Sequence, residues 1–233
     1  MSAAPPGWLG DTAALYADVF RRGAVLALRN WPVGLAVVGY GLLLLFARIL
    51  TAPLGLAGGF IMYLVVVACA SSWLSLVAEV IRSGRVRAGD FVTGFGTYLG
   101  DLLTVGFLLW LLSLIAQLVL APFPLLLIVF GLATAVFFNA VSELLYLGRH
   151  AAGELLVESY RFIGENWIEW FPANILLGIF LYATSWVPAG PYGLVSGLVT
   201  GVTLYFAMIV RGLLFQELAT SSRRARAFRR ASG

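Results

Sequence analysis

Apolar residues fill the chain in six long blocks, at about 32–50, 57–80, 101–121, 124–147, 168–187 and 193–214. A helix rises about 1.5 Å per residue, so about 20 residues cross a hydrocarbon core of about 30 Å. The pattern predicts an all-α integral membrane protein with six transmembrane helices. The connections alternate in character. Those after the first, third and fifth blocks are short and carry Pro53, Gly55 and Gly58, then Pro122 and Pro124, then Pro188, Gly190 and Pro191, the residues that tight turns use. The others are longer and charged.

Ahead of each odd-numbered block lies a polar stripe at steps of 0, 4, 7 and 11: Asp18, Arg22, Val25 and Arg29; Asp90, Gly94, Thr97 and Asp101; Glu154, Glu158, Arg161 and Glu165. Such steps hold one helical face. Leu15, Val19, Phe20 and Leu26, or Phe91, Phe95 and Tyr98, or Leu155, Leu156, Tyr160 and Phe162, fall between them. Each stripe predicts an amphipathic helix in the membrane interface, with its apolar side toward the acyl chains.

These features recur in register. Ala88-Gly89-Asp90 aligns with Ala152-Gly153-Glu154 at an offset of 64 that also pairs Gly100 with Gly164 and Asp101 with Glu165. An offset of 72 sets Asp18 on Asp90 and Arg29 on Asp101. Glu79, Glu143 and Glu217 are each followed five residues later by Gly84-Arg85, Gly148-Arg149 and Ser222-Arg223. The chain therefore reads as one membrane domain of three hairpin repeats, about 11–85, 86–149 and 150–225, with a basic tail over 221–233. Each hairpin is preceded by its amphipathic helix. Parallel repeats of this kind are related by an axis along the membrane normal.

Composition agrees with the pattern. Of the 233 residues, 61% are hydrophobic and 11% charged, against about 25% charged in a soluble domain. The 30 residues before the first block carry Asp11, Asp18, Arg21, Arg22 and Arg29, unlike a secretory signal. All 15 basic residues are arginine, and every one except Arg48 falls on one side of a six-span path. The positive-inside rule then orients the protein with both termini in the cytoplasm. A multi-pass protein of the bacterial cytoplasmic (inner) membrane is expected, with a nearly uncharged outer face.

Ionisable groups inside membrane spans are candidate functional sites. Arg211, six residues before Glu217, is expected to meet a carboxylate, with Glu79, Glu143 and Glu217 as an acidic vestibule; the plainer alternative pairs Glu79 with Arg82 and lets Arg211 snorkel. Ser72 and Ser75 share a face with Glu79, and Asn139, Ser142 and Tyr146 share one with Glu143, as interhelical hydrogen-bonding groups or as a polar path. Gly193, Gly197 and Gly201 form a small-residue seam for helix packing or self-association. Trp31, Trp167 and Trp170 mark one membrane boundary and Trp186 the other, and Pro172 falls in the first turns of the fifth span. Arg223, Arg224, Arg226, Arg229 and Arg230 suit anionic lipid headgroups. His150 is the one histidine and Cys69 the one cysteine; no metal-ligand spacing, phosphate loop or nucleophile elbow is present. No cofactor, metal, catalytic residue or nucleic-acid partner is expected.

The stretch Glu158-Ser159-Tyr160-Arg161-Phe162-Ile163-Gly164-Glu165-Asn166-Trp167, the Arg29-Asn30-Trp31 entry and Gly84-Arg85-Val86-Arg87-Ala88-Gly89-Asp90-Phe91 resemble elements of uncharacterised bacterial membrane proteins. Among these are YciC-like proteins and the membrane domains of some glycerophosphodiester phosphodiesterases. The phosphodiesterase catalytic domain has no counterpart in these residues, so the resemblance implies architecture and no catalytic residue. The expected function is non-enzymatic: engagement of lipid headgroups or a protein partner through the cytoplasmic helices and arginine tail. A small transporter or channel built on Glu79, Glu143, Arg211 and Glu217, and an accessory subunit of a membrane complex, are the alternatives. A homo-oligomer is compatible with each.

Overall fold

The computed structural model describes residues 8–148, 152–184, 186 and 193–220. The described residues are helices and the turns between them, with no strand. In chain order they are α1 (Trp8–Arg29), α2 (Trp31–Thr51), α3 (Gly55–Ser83), α4 (Asp90–Thr93), α5 (Leu99–Leu120), α6 (Pro124–Phe137), α7 (Val141–Leu147), α8 (Ala152–Thr184) and α9 (Gly193–Thr220). Short 3-10 segments cover Ala52–Leu54 and Gly94–Gly96. Four stretches are long and apolar enough to cross a membrane: Trp31–Ser83, which holds α2 and α3, then Leu99–Leu120, Pro124–Leu147 and Val195–Thr220. In the first three only 6–11% of the most apolar window is buried, against 50% in the last. Leu42, Phe46, Leu50, Trp110, Leu118, Leu125 and Leu132 all stand exposed. Exposed apolar surface on this scale is stable only in a hydrocarbon solvent.

Helix boundaries follow backbone chemistry. Pro32 has no N–H to give the carbonyl of Leu28, and the chain breaks at Asn30 between α1 and α2. No proline stands at the corresponding entry near 168, so the third amphipathic segment and the fifth apolar block fuse into α8, a single helix of 33 residues. Pro172, expected in the first turns of a span, therefore lies inside a continuous helix, where it removes the bond to Ile168. The expected helix over 90–101 is also not formed whole. Gly94 and Gly96 favour a 3-10 turn between α4 and α5, because glycine adds no side-chain support to a helix and carries its largest entropic cost.

The chain forms two compact units. The first comprises Met1–Val38, Glu79–Val86 and Asn166–Gly233, the second Gly39–Ala78 and Arg87–Glu165. These do not coincide with the three sequence repeats, because α1 packs along α9 and joins early and late parts of the chain. That contact covers much of the α1 face expected to meet acyl chains: Leu15 and Val19 are buried, and Phe20 meets Phe206 at 6.1 Å between ring centroids. At Gly23 a Cβ atom would come within 2.8 Å of Val210. Further along, Gly201 faces Val37 and Gly34 faces Tyr205 at similar closeness.

In the second unit α5 pairs with α6, and the Gly94 turn is held against α3. Ser71 donates to the carbonyl of Gly94 at 3.0 Å and accepts from the amide of Tyr98 at 2.9 Å. Ser72 donates to the carbonyl of Phe91 at 3.3 Å and shares a 2.7 Å hydrogen bond with the Tyr40 hydroxyl. The break between α6 and α7 at residues 138–140 leaves the Phe137 carbonyl without its helical partner, and the buried Ser159 hydroxyl occupies it at 2.8 Å.

A Cβ at Gly94 would lie 3.1 Å from both the Ser72 Cα and the Ser75 Cβ. Gly94→Val should lower stability by about 1–3 kcal/mol, measured by thermal unfolding in detergent micelles. An unfolding temperature equal to wild type would contradict this packing.

Candidate functional site

Polar groups of the first unit gather where α1 ends, α2 begins and α3 terminates. Asn30 is buried at the centre. Its side-chain amide donates to the carbonyls of Leu26 and Gly84, each at 3.0 Å, and its side-chain oxygen accepts from the Val86 amide at 3.1 Å. Its backbone carbonyl accepts from the Tyr205 hydroxyl at 3.1 Å. Gly84 makes this possible: at φ 74° it adopts the left-handed conformation that ends α3, with its amide bonded to the Val80 carbonyl at 3.0 Å. One asparagine thus joins three helices.

A second group of contacts ties α1 to α9 and both to α8. Arg22 reaches Glu217 at 2.8 Å and Asp18 at 2.9 Å, while Arg21 contacts Asp18 at 3.4 Å. The Tyr16 hydroxyl donates to the backbone carbonyl of Glu169 at 2.7 Å. Burial, helped by the Glu169 charge, pushes the Tyr16 phenol up to about 12 from its usual 10.0, against the opposing hydrogen bond from Ala173. Arg211 lies 5.2 Å from the ring centre of Trp170, a cation–π contact.

The residues singled out from sequence separate between the units. Glu79, Arg211 and Glu217 belong to the first and Glu143 to the second. Glu217 bonds Arg22, a partner that sequence spacing did not suggest because the two lie 195 residues apart. Glu79 is half-buried in the last full turn of α3, where Ser83 donates to its backbone carbonyl. Glu143 is fully buried and accepts from Ser142 at 2.8 Å. Tyr146 is fully buried, and its carbonyl accepts from the Tyr98 hydroxyl at 3.4 Å; Asn139 sits in the break between α6 and α7. Ser72 and Ser75 face the Gly94 turn, and the stronger anchor there, Ser71, was not among the expected polar residues. Of the small-residue seam, Gly201 makes close contact with α2 whereas a Cβ at Gly197 would meet nothing within 4 Å; Gly193 opens α9. Trp170 is fully buried, while Trp31, Trp167 and Trp186 are exposed. Arg149, His150, Arg223, Arg224, Arg226, Arg229 and Arg230 lie outside the described residues.

Two grooves flank α1 in this unit. One, about 350 Å³ and almost wholly apolar, is lined by Ala24, Ala27, Leu28, Trp31, Val202 and Phe206 among others. The other, about 490 Å³, mixes Arg21, Arg22 and Gln216 with apolar walls. Neither is lined by Glu79, Glu143, Arg211 or Glu217. Among the described residues no group of three His, Cys, Asp or Glu side chains could hold a metal ion. Chemically, the arrangement offers guanidinium donors beside hydrocarbon surface. The chain matches no protein-family model, no curated protein and no solved structure.

Tyr16 supplies a pH test. Folding favours its neutral form, so its contribution is full below about pH 10 and is lost as pH climbs through about 12. The stability difference between wild type and Tyr16→Phe, from unfolding in micelles, should therefore shrink across that interval. A difference that stays constant to pH 12 would contradict the assignment.

Proposed function

We propose that the protein is a non-enzymatic, six-span protein of the bacterial cytoplasmic membrane that engages anionic lipid headgroups through its arginine-bearing helices and tail. Both termini are then cytoplasmic. The six spans are α2, α3, α5, the α6–α7 pair, the second half of α8, and α9. A length of 33 residues supports this use of α8, since it reaches about 50 Å and so holds a span and an interfacial stretch together. Three hairpin units draw on the sequence register alone, since the glycines 64 residues apart end their helices differently, Gly84 at φ 74° and Gly148 at φ −77°. The likeness to YciC-like proteins belongs to the same proposal.

The observation that carries the functional reading is the composition of α1. Its last turns present Arg21 and Arg29 to the exterior beside exposed Val25 and Leu28, with Trp31 exposed at the start of α2. Arginine with an aromatic and aliphatic neighbours suits the level of the headgroups, where charge meets phosphate and apolar side chains meet the first methylenes. Transport through the acidic residues draws no support from the two grooves, neither of which they line. A protein partner remains compatible with the same face.

Tryptophan quenching by brominated lipids tests the reading with the full chain in vesicles. Brominated phosphatidylglycerol should quench more than brominated phosphatidylcholine. The preference should fall several-fold on Arg223→Ala/Arg224→Ala/Arg226→Ala, since each arginine contributes about 1 kcal/mol near an anionic surface, and it should weaken in high salt. Equal quenching by the two lipids, in wild type and variant alike, would remove this function.

A further inference from the structure

The groove that mixes arginine with hydrocarbon has a composition that neither helix packing nor retention of charge at one side requires. Arg21 and Arg22 stand at one part of its lining, and Val25, Leu26, Ile81 and Leu213 supply the apolar walls. α1, the end of α3 and α9 each contribute. Asn30 and Gly84 brace the junction of the first two close by. The site is therefore built by three helices around a fixed point, and its volume of about 490 Å³ is in the range of small-ligand pockets.

We propose that this groove holds one anionic phospholipid, with the phosphate on Arg21 and Arg22 and an acyl chain along Val25, Leu26, Ile81 and Leu213. The proposal rests on the lipid-binding reading above and assigns it a discrete site. Two properties select the occupant. A free anion would need the arginines but not the apolar walls, and a fatty chain would need the walls but not the arginines. The second property is the incomplete satisfaction of Arg21. The Arg21 side chain is 79% exposed and has only a 3.4 Å contact with Asp18, which it shares with Arg22. A guanidinium offers five N–H donors, and an exposed pair of that length contributes little. A phosphate would give both arginines the bidentate partner that Asp18 cannot supply to two residues at once.

Glu217 gives the proposal an opposite-sign consequence. Its carboxylate holds Arg22 at 2.8 Å, occupying donors that a phosphate would use. Lipid and Glu217 therefore compete for Arg22, and weakening the internal bridge should strengthen binding. A purely structural bridge gives the reverse.

Native mass spectrometry of the full chain in detergent, titrated with phosphatidylglycerol, phosphatidylcholine or inorganic phosphate, decides this. The expected result is one saturable phosphatidylglycerol site, with phosphatidylcholine weaker and inorganic phosphate failing to compete. Arg21→Gln should weaken that site about tenfold, and Arg21→Lys should restore part of the loss. Val25→Glu should weaken it as well, since Val25 is already exposed and its replacement leaves the core intact. Glu217→Gln should tighten binding about threefold. The proposal is overturned if phosphatidylcholine binds as well as phosphatidylglycerol, if inorganic phosphate displaces the lipid, or if Glu217→Gln loosens binding as Arg21→Gln does. The two readings also fail separately. Loss of the groove site alone leaves the quenching preference of the Arg21→Gln protein and its dependence on Arg223, Arg224 and Arg226, whereas failure of the broader reading removes both.

Discussion

In hydrocarbon no water is present to satisfy an N–H, a carbonyl or a hydroxyl, so each polar atom that enters must bring its partner from the chain. That constraint accounts for the polar contacts within the apolar helices. The carbonyl of Phe137, freed where α6 gives way to α7, is taken by Ser159. Ser71 and Ser72 hold the carbonyls and amide exposed by the glycine-rich turn before α5. Thr51 and Thr104 return their hydroxyls to carbonyls four residues earlier. At the α6–α7 break and at the turn before α5, a serine from another helix covers the freed backbone groups.

The same constraint concentrates the stronger interactions where the helices end. Asn30 closes the junction of α1, α2 and α3 with three side-chain hydrogen bonds. Arg22 ties α1 to α9 through Glu217. An exposed ion pair of this kind contributes about 0–1 kcal/mol, so the seam depends chiefly on buried Leu15, Val19, Val210 and Leu214 and on the close approach allowed by Gly23. The arginines are held by carboxylates without being buried by them, which leaves their remaining donors at the edge of an apolar surface.

Much of the architecture was legible in the sequence because its causes are local. Proline and glycine ended α2 and began α6 where expected, and the apolar blocks map onto helices with outward-facing leucines and phenylalanines. Features that depended on distant neighbours were not legible. The pairing of Arg22 with Glu217 spans 195 positions, so the spacing that grouped Glu79, Glu143, Arg211 and Glu217 carried no sign of it. Trp170 had the sequence context of a boundary tryptophan yet is fully buried, with Arg211 over its ring. The polar stripe over 90–101 has helical spacing, but its glycines yield a 3-10 turn held by Ser71, a residue marked by no periodicity. Asn30 is the instructive case. The motif Arg29-Asn30-Trp31 stood out by its likeness to Asn166-Trp167, but the first copy is a junction, with Pro32 after Trp31 and Asn30 bonded to the end of α3, while α8 runs unbroken through the second.

The central proposal is that lipid solvates six helical passages and leaves both ends of the chain on one side. Single cysteines placed by Leu54→Cys, Arg85→Cys, Phe123→Cys and Thr220→Cys, with native Cys69 buried, test it through labelling of intact and permeabilised cells by a membrane-impermeant maleimide. The account predicts that positions 54 and 123 label from outside, whereas 85 and 220 label only after permeabilisation. Labelling of 85 and 220 from opposite sides would contradict it.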